Sequence, residues 1–538
     1  MMTFTSIEFW ALFAASFLLL EAAHFWLGSK AFLATRKWTF LAFSLTFYGL
    51  ASGKLLAVML LSIAVNHVLI RWLAYRSSKS IVLLGVAFNV CLLGLFKYAY
   101  FIAGLFPEIA PQGGFQWGGF RLEQWMLPLG ISFYTFQSIS CLIDVHRKRL
   151  DKTPSLLSFA TYITFFPQLV AGPIIRASDF LPQLDQTRAT SMGNRKRHLL
   201  LIVQGFFKKL VFGDLIGVLL VDPVFDAPLE QSGWLIMLGL YGYSMQVYAD
   251  FSGYTDMAQG MAGLLGMTLP KNFNFPYKAS SPADFWRRWH MSLSHWWKDY
   301  VYIPLGGNRS LSWVSMASLV GALLAWGFAW NQGGGWLIVA GLGLLIAACA
   351  LMFPSFQTKL AVSTNVMLVM LMGGLWHGSH ENFILWGGIN GLAIVAWVWA
   401  GPGQSKWARV TGWLFTFHVV VVSRIWFRAG SITTWEEYAT GPHPNDAWET
   451  ALALWDQLHH LEAWQVNSGD LTTTLGAGII LLLVSYVIHW LPSAWQERAQ
   501  TKTATAPLWV MWLLWMLLIA LNESQLAYQG KPFIYWQF

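Results

Sequence analysis

The chain has few charged residues and few cysteines. Of its 538 residues only 11% are charged and 56% are hydrophobic, whereas an ordinary soluble domain carries about 25% charged residues. Its three cysteines, Cys91, Cys141 and Cys349, lie in apolar runs and match no disulfide framework or zinc motif. The chain also lacks a G-x-S-x-G nucleophile elbow, a P-loop, an H-E-x-x-H and a G-x-G-x-x-G motif. These absences exclude a soluble globular domain and argue against a serine acyl-enzyme.

The chain instead contains many long apolar runs. Each approaches the roughly 20 residues that cross a bilayer, and Trp and Tyr gather near their ends, as in interfacial belts. We predict an all-α polytopic membrane protein with about 11–14 membrane helices, in a single domain over residues 1–538. The first run has no Lys or Arg before it, which favours a retained span over a signal peptide. The runs lie at 7–28, 39–50, 55–74, 81–105, 125–146, 199–221, 234–262, 312–330, 336–353, 361–376, 383–400, 410–428, 474–492 and 507–522.

The distribution of Lys and Arg predicts the orientation, because cytoplasmic loops collect these residues. The loops at 30–37, 71–79, 147–152 and 176–197 are basic, and so is an amphipathic segment at 271–310, which we place on the cytoplasmic side. Residues 429–497 contain neither Lys nor Arg, so we expect an acidic periplasmic loop at 429–472. The net charge of +8 fits loop cations that meet anionic lipid, and no nucleic-acid partner is expected.

Three features depart from simple alternation of spans. The apolar segment Leu156–Ile175 lies between basic loops and contains helix-breaking Pro and Gly, which favours a re-entrant segment. Both ends of the region around His377 look cytoplasmic, which predicts a helical hairpin with His377 near its turn. Lys208 and Lys209 fall inside the run 199–221, and we expect them to snorkel or to mark an interfacial segment.

His377 is the first candidate for a functional residue. An ionisable side chain among apolar runs usually faces the protein interior or a watery cavity and is often functional. The alternative is a satisfied histidine at a helix end. Gly373, Gly374 and Gly378 would let helices approach closely or the backbone turn. His380 and Glu381 could join His377 around a metal, but no fourth ligand is evident and we predict no metal site.

A second polar constellation lies in the segment 271–310. Ser281 suits an N-cap and Pro282 the first helical turn, which predicts one helix through about Tyr300. That helix carries an aromatic stripe and basic residues; the stripe is Trp286, Trp289, Leu293, Trp296 and Trp297, and the cations are Arg287, Arg288 and Lys298. The cations could face lipid headgroups or the phosphates of an acyl donor. In the second case His290 could reach a reaction centre.

Two histidines suit the attack of a hydroxyl on a thioester. One imidazole can accept the hydroxyl proton near neutral pH, and a donor must stabilise the developing oxyanion. Asn382 or a backbone N–H would supply that donor. Direct transfer is therefore simpler than a covalent acyl-enzyme.

These segments carry a family resemblance. FWRRWHMSLSHWWKDYVYIPLGG and GGLWHGSHENFILWGGINGL resemble the membrane-bound O-acyltransferase family in its bacterial alginate O-acetyltransferase branch. PLGISFYTFQSISCLIDVHR, FFPQLVAGPIIR, QVYADFSGYTDMAQG, WFRA and the terminal PFIYWQF agree with it. The resemblance implies a ring of tilted helices around a central tunnel. It also implies that His377, after Trp376 in the WHG motif, is the catalytic histidine and that His290 is the second important one. Asn390 departs from the pattern, because many members read Y-H-G where this chain has I-N-G.

The resemblance implies a multi-pass protein of the bacterial inner membrane that moves an acetyl group from a cytoplasmic donor, acetyl-CoA, with no bound cofactor. The acceptor would be an exopolysaccharide such as alginate, reached through a periplasmic partner acetyltransferase and its biosynthetic machinery. Acetylation of cellulose or peptidoglycan and D-alanylation of teichoic acid remain alternatives within the enzyme class. A transporter and a structural membrane subunit are alternatives outside it.

Overall fold

The structure is a computed structural model, and it confirms an all-α membrane architecture. It describes residues 6–98, 116–117, 120–121, 127–169, 172–186, 192–329, 343, 345–346, 349–350, 352–401, 403, 405–431, 447–464, 473–504 and 506–523. Apart from one antiparallel pairing of Gln116–Trp117 with Phe120–Arg121, the regular structure in these ranges is helical. Most of the predicted run at 336–353 lies outside these residues, and the terminal PFIYWQF motif lies outside them entirely.

Six helical stretches among the described residues are long and apolar enough to cross a membrane. One of them, Ser29–Tyr75, contains two helices joined by a short 3-10 turn. The six are Ile7–Trp26, Ser29–Tyr75, Lys79–Lys97, Pro354–His377, Glu381–Ala400 and Lys406–Ala429. The chain is therefore a multi-pass membrane protein.

The chain divides into two compact units. The first comprises Met1–Asn272 and Arg428–Phe538, and the second comprises Phe273–Phe427. The described α-helices of the first unit are Ile7–Trp26, Ser29–Ser52, Leu56–Tyr75, Lys79–Lys97, Ile131–His146, Leu156–Thr164, Phe166–Leu169, Ala177–Leu184, Met192–Phe207, Asp222–Asp226, Gly233–Leu264, Ala447–His459, Thr473–Trp490, Ser493–Ala504 and Leu508–Glu523. Its 3-10 turns are Gly53–Leu55, Pro228–Glu230 and Leu461–Trp464, and its π-helical turns are Lys208–Asp214 and Gly217–Val221. The second unit has α-helices at Pro282–Arg288, Met291–Trp297, Trp313–Ala329, Pro354–His377 and Glu381–Ala400 and all but the last two residues of the helix Lys406–Ala429, with a 3-10 turn at Pro276–Lys278 and a π-helical turn at Lys298–Tyr302.

The segment Leu156–Ile175 is broken, as its Pro and Gly predict. Its helices Leu156–Thr164 and Phe166–Leu169 are short, and the second is fully buried. The Tyr162 hydroxyl donates to the Ile175 carbonyl at 2.9 Å, and the Gln168 amide donates to the Tyr162 carbonyl at 2.6 Å. Side chains thus satisfy backbone carbonyls that a continuous helix would have satisfied itself.

Lys208 and Lys209, which we expect to snorkel or to mark an interfacial segment, both form ion pairs within the first unit. Lys208 Nζ lies 2.6 Å from an oxygen of Asp256. Lys209 Nζ lies 2.5 Å from Asp214 and 2.9 Å from Asp250. The helix widens into a π-helical turn at Lys208–Asp214. Such turns are frequent at functional sites.

The predicted acidic loop 429–472 contains a helix. The helix Ala447–His459 packs on the long helix Gly233–Leu264, and its residues Ala451 and Leu454 are buried. Residues 432–446 and 465–472 of the predicted acidic loop lie outside the described residues.

Candidate active site

A tight helical hairpin positions His377, as the sequence predicts. Pro354–His377 and Glu381–Ala400 pack along each other, joined by the turn at 378–380. Glycine makes this packing possible: a Cβ on Gly374 would collide with the Phe383 carbonyl, and one on Gly387 with the Met370 carbonyl. Gly373, by contrast, has open space where its Cβ would be.

His377 ends its helix inside a shell of aromatic rings. Its side chain is buried, with the residue 4% exposed. The edge-on ring of Trp386 lies 5.0 Å from the imidazole between centroids, and Phe427 lies 5.3 Å away. Trp376, the preceding residue, packs 4.7 Å from the imidazole. These contacts restrict the orientation of the imidazole ring.

His290 sits at a break in the predicted helix, so the expectation of one helix through Tyr300 is wrong. Two short helices, Pro282–Arg288 and Met291–Trp297, flank an extended Trp289 and a left-handed His290 with φ 42° and ψ 54°. The Ser294 hydroxyl donates to the Trp286 carbonyl at 2.8 Å and thereby satisfies an acceptor at the break. Packing overrides the local helix signals here, because the break buries both Trp289 and His290.

Both histidines line one cavity of about 220 Å³ in the second unit. The tryptophans Trp286, Trp289 and Trp386 form much of its wall. His290 also lies near the ring of Trp376, at 6.2 Å between centroids. A cavity that combines apolar walls with a few convergent polar groups is typical of a small-molecule site.

Burial sets the charge state of His290. It lowers the pKa of the imidazole from its ordinary value of 6.5 to about 3, because desolvation disfavours the cation. At neutral pH this side chain is therefore a neutral imidazole that can accept or donate one hydrogen bond.

The three predicted donor-binding cations occupy different positions. Lys298 lines the cavity. Arg288 pairs with Asp284 at 2.9 Å, and the largely exposed Arg287 lies 3.7 Å from the same carboxylate. Neither arginine is among the described residues that line the cavity.

The supporting residues are buried. Asn390 donates to the Trp386 carbonyl at 2.9 Å and to the Ser423 hydroxyl at 3.1 Å, so it links the hairpin to the helix Lys406–Ala429. The backbone N–H of Asn382 donates to His380 Nδ1 at 3.2 Å, which caps the second hairpin helix. Among the described residues no group of three His, Cys, Asp or Glu side chains could hold a metal ion.

Sequence reasoning missed Arg424, which is 1% exposed beside these rings. Its guanidinium carbon lies 5.0 Å from the Trp289 ring centroid, 6.0 Å from Trp386 and 5.0 Å from Phe427. An arginine inside the apolar run 410–428, four residues before the Arg428 that ends it, was the available signal.

The fold and the site define a class: a helical multi-pass membrane protein in which two buried imidazoles share one largely aromatic cavity. The profile of the membrane-bound O-acyltransferase family matches residues 26–325, which is more than half of the chain. The chain belongs to the membrane-bound O-acyltransferase family, and it is an acyltransferase.

Named relatives agree with this assignment. The chain is 31% identical over 439 residues to the "Probable alginate O-acetylase AlgI" of Pseudomonas aeruginosa, covering 80% of this chain and 71% of that protein. It is 31% identical over 438 residues to a peptidoglycan O-acetyltransferase of Helicobacter pylori, covering 74% and 72%. It is 26% identical over 307 residues to a teichoic acid D-alanyltransferase of Bacillus subtilis, covering 54% and 66%.

Proposed function

We propose that the chain moves acetyl groups from a cytoplasmic thioester donor, acetyl-CoA, to an acceptor hydroxyl on the outer side of the bacterial inner membrane. The observation that carries this proposal is the shared cavity of His290 and His377. Two imidazoles at one apolar cavity supply a proton acceptor and a hydrogen-bonding partner for acyl transfer. Names of relatives from Pseudomonas and Helicobacter include O-acetyl transfer, which supports acetyl as the transferred group.

His377 is the proposed general base. The acceptor hydroxyl attacks the thioester carbonyl carbon while its proton passes to the His377 imidazole. The tetrahedral intermediate then collapses, the carbon–sulfur bond breaks, and the thiolate takes up the proton. Neutral His290 orients the reacting groups by hydrogen bonding. Lys298, at the cavity wall, attracts donor phosphates.

The chemistry of the cavity favours an acetyl group over D-alanyl. A D-alanyl group carries an ammonium, and a buried cation needs a carboxylate or comparable partner. The described residues that line the cavity include Lys298 but neither Asp nor Glu. An uncharged acetyl group meets no such requirement.

The proposed acceptor route leads to an exopolysaccharide such as alginate, through a periplasmic partner acetyltransferase. The name of the Pseudomonas relative supports the polymer. Peptidoglycan is the second candidate, because the Helicobacter relative matches over a similar share of the chain.

The test uses the purified full chain in vesicles of bacterial phospholipid. Radiolabelled acetyl-CoA is supplied with alginate oligomers or peptidoglycan fragments, with and without a candidate periplasmic partner. We expect label in one polymer, and loss of it with His377→Ala. His459→Ala is the matched control, because His459 is exposed and bonds its own helix at the Trp455 carbonyl. Absence of label in every acceptor, or full transfer by His377→Ala, would overturn the proposal.

A further inference from the structure

Arg424 is a buried cation that the proposed mechanism leaves unused. It lies in the helix Lys406–Ala429 and is 1% exposed. The rings of Trp289, Trp386 and Phe427 surround its guanidinium at 5.0–6.0 Å. Cation–π contact of this kind stabilises a guanidinium but does not neutralise its charge.

The described structure provides no anion for Arg424. Its Nε and Nη2 atoms make no hydrogen bond within the described residues, and no ion pair to it is found there. Acids are scarce in its unit: residues 273–427 contain Asp284, Asp299 and Glu381. Two of these carboxylates already lie near other basic groups, Asp284 near Arg288 and Glu381 near His380. A buried charge without a partner costs stability, so packing alone is a poor reason to keep an arginine here.

The location of Arg424 relates it to the reaction. Trp289 and Trp386 belong to the cavity wall. Trp386 and Phe427 also pack directly on the His377 imidazole. One aromatic side chain, Trp386, therefore contacts the guanidinium, lines the cavity and packs on the proposed base. Among buried aromatic side chains the effective dielectric is low, so a fixed positive charge at this range acts on charge that develops in the cavity.

We propose that Arg424 stabilises the negative charge of the tetrahedral intermediate in acyl transfer. When the hydroxyl oxygen bonds to the carbonyl carbon, the carbonyl π pair moves onto its oxygen and the hydroxyl proton moves to His377. The charge on that oxygen is lost again when the carbon–sulfur bond breaks and the thiolate leaves. Arg424 favours the charged intermediate over the neutral thioester, and it acts through the aromatic wall as a charge-stabilising residue. This inference rests on the proposed acyl-transfer function.

The experiment compares Arg424→Met, Arg424→Lys and Arg409→Met in the full chain in vesicles. Arg409 is an exposed cation of the same helix and controls for loss of charge. Initial rates over a range of acetyl-CoA concentrations separate kcat from KM, and thermal unfolding is recorded for each variant. We expect Arg424→Met to lower kcat about 10-fold, as for a charge that acts at a distance rather than by direct hydrogen bonding, with KM changed far less. Arg424→Lys should recover part of kcat, and Arg409→Met should match the wild type.

Thermal stability separates this role from a structural one. Removal of an unpaired buried charge should leave the unfolding temperature of Arg424→Met unchanged or raised. A kcat equal to that of the wild type would overturn the inference, and so would a kcat that falls only in parallel with the folded fraction. If the wild type is active and His377→Ala is inactive while Arg424→Met is fully active, only this inference fails. If the wild type transfers no acetyl group, the proposed function itself fails.

Discussion

Lys209 in the first unit and Arg424 in the second are both buried cations, and they are accommodated in opposite ways. In the first unit, Lys209 has two carboxylate partners, Asp214 at 2.5 Å and Asp250 at 2.9 Å. In the second unit, Arg424 has aromatic rings around it and no carboxylate within the described residues. The lysine cluster satisfies its own charge, so it can serve to hold helices together. The arginine charge is left available to whatever enters the neighbouring cavity.

The largest effect on activity is expected from replacement of His377, which lies among the aromatic rings of the second unit. His377→Ala removes the proposed base, so acyl transfer should fall by about 10²–10⁴-fold, while the protein still inserts and folds. Transfer assays and an unfolding curve on the same preparation check this. Equal losses of activity and of folded protein would instead assign His377 to packing.

Loss of Lys209, which pairs with two carboxylates, should instead reduce the stability of the protein. Lys209→Met leaves the buried carboxylate of Asp250 and the half-buried carboxylate of Asp214 without their cation, which should cost about 3 kcal/mol of unfolding free energy. Thermal and denaturant unfolding in detergent measure the change. Lys271→Met, at an exposed position, is the control. A Lys209→Met protein as stable as the wild type would remove the contrast with Arg424.

The pH dependence of stability sharpens the comparison further, because His290 is buried without charge. Its folded-state pKa of about 3 lies below the ordinary 6.5, so the unfolded chain binds more protons between these values. The stability contributed by the neutral imidazole is complete above about pH 6.5 and is lost progressively as the pH falls toward 3. His290→Gln should therefore lose less stability between pH 7 and pH 5 than the wild type. Parallel pH curves for the two proteins would contradict this.

The smallest effect is expected at a cation that is neither buried nor enclosed. Arg287 is largely exposed and lies 3.7 Å from Asp284, so Arg287→Met should change unfolding free energy by less than about 0.5 kcal/mol. Its effect on the KM for acetyl-CoA tests the predicted donor-binding role. A raised KM at unchanged stability would support that role, and an unchanged KM would leave the ion pair with Asp284 as its main contact.

The sequence predicts elements whose signals are local and long. The hairpin around His377 follows from two apolar runs separated by a Gly-containing turn, and Gly374 indicates the close packing. The break at His290 could not be predicted, because Ser281, Pro282 and the spacing of the tryptophans all favour one continuous helix. Only the burial of Trp289 and His290 together explains it.

Partners that are distant in sequence account for the other differences. Nothing near Lys209 in the sequence indicates that Asp250 of another helix neutralises it. Arg424 likewise contacts Trp289 and Trp386, which are distant from it in the sequence. A cation in an apolar run indicates an unusual buried group, but not whether its partner is a carboxylate or an aromatic ring.

Gly373 lies at a position where a larger side chain could change the volume of the cavity. It lines the cavity one helical turn before His377, and a methyl group on its Cα would meet no atom within 4 Å. Alanine could therefore occupy that position without displacing the hairpin, whose close approach depends on Gly374 and Gly387 instead. A single substitution at Gly373 would thus reduce the space beside the two imidazoles, where we propose that the acyl group binds.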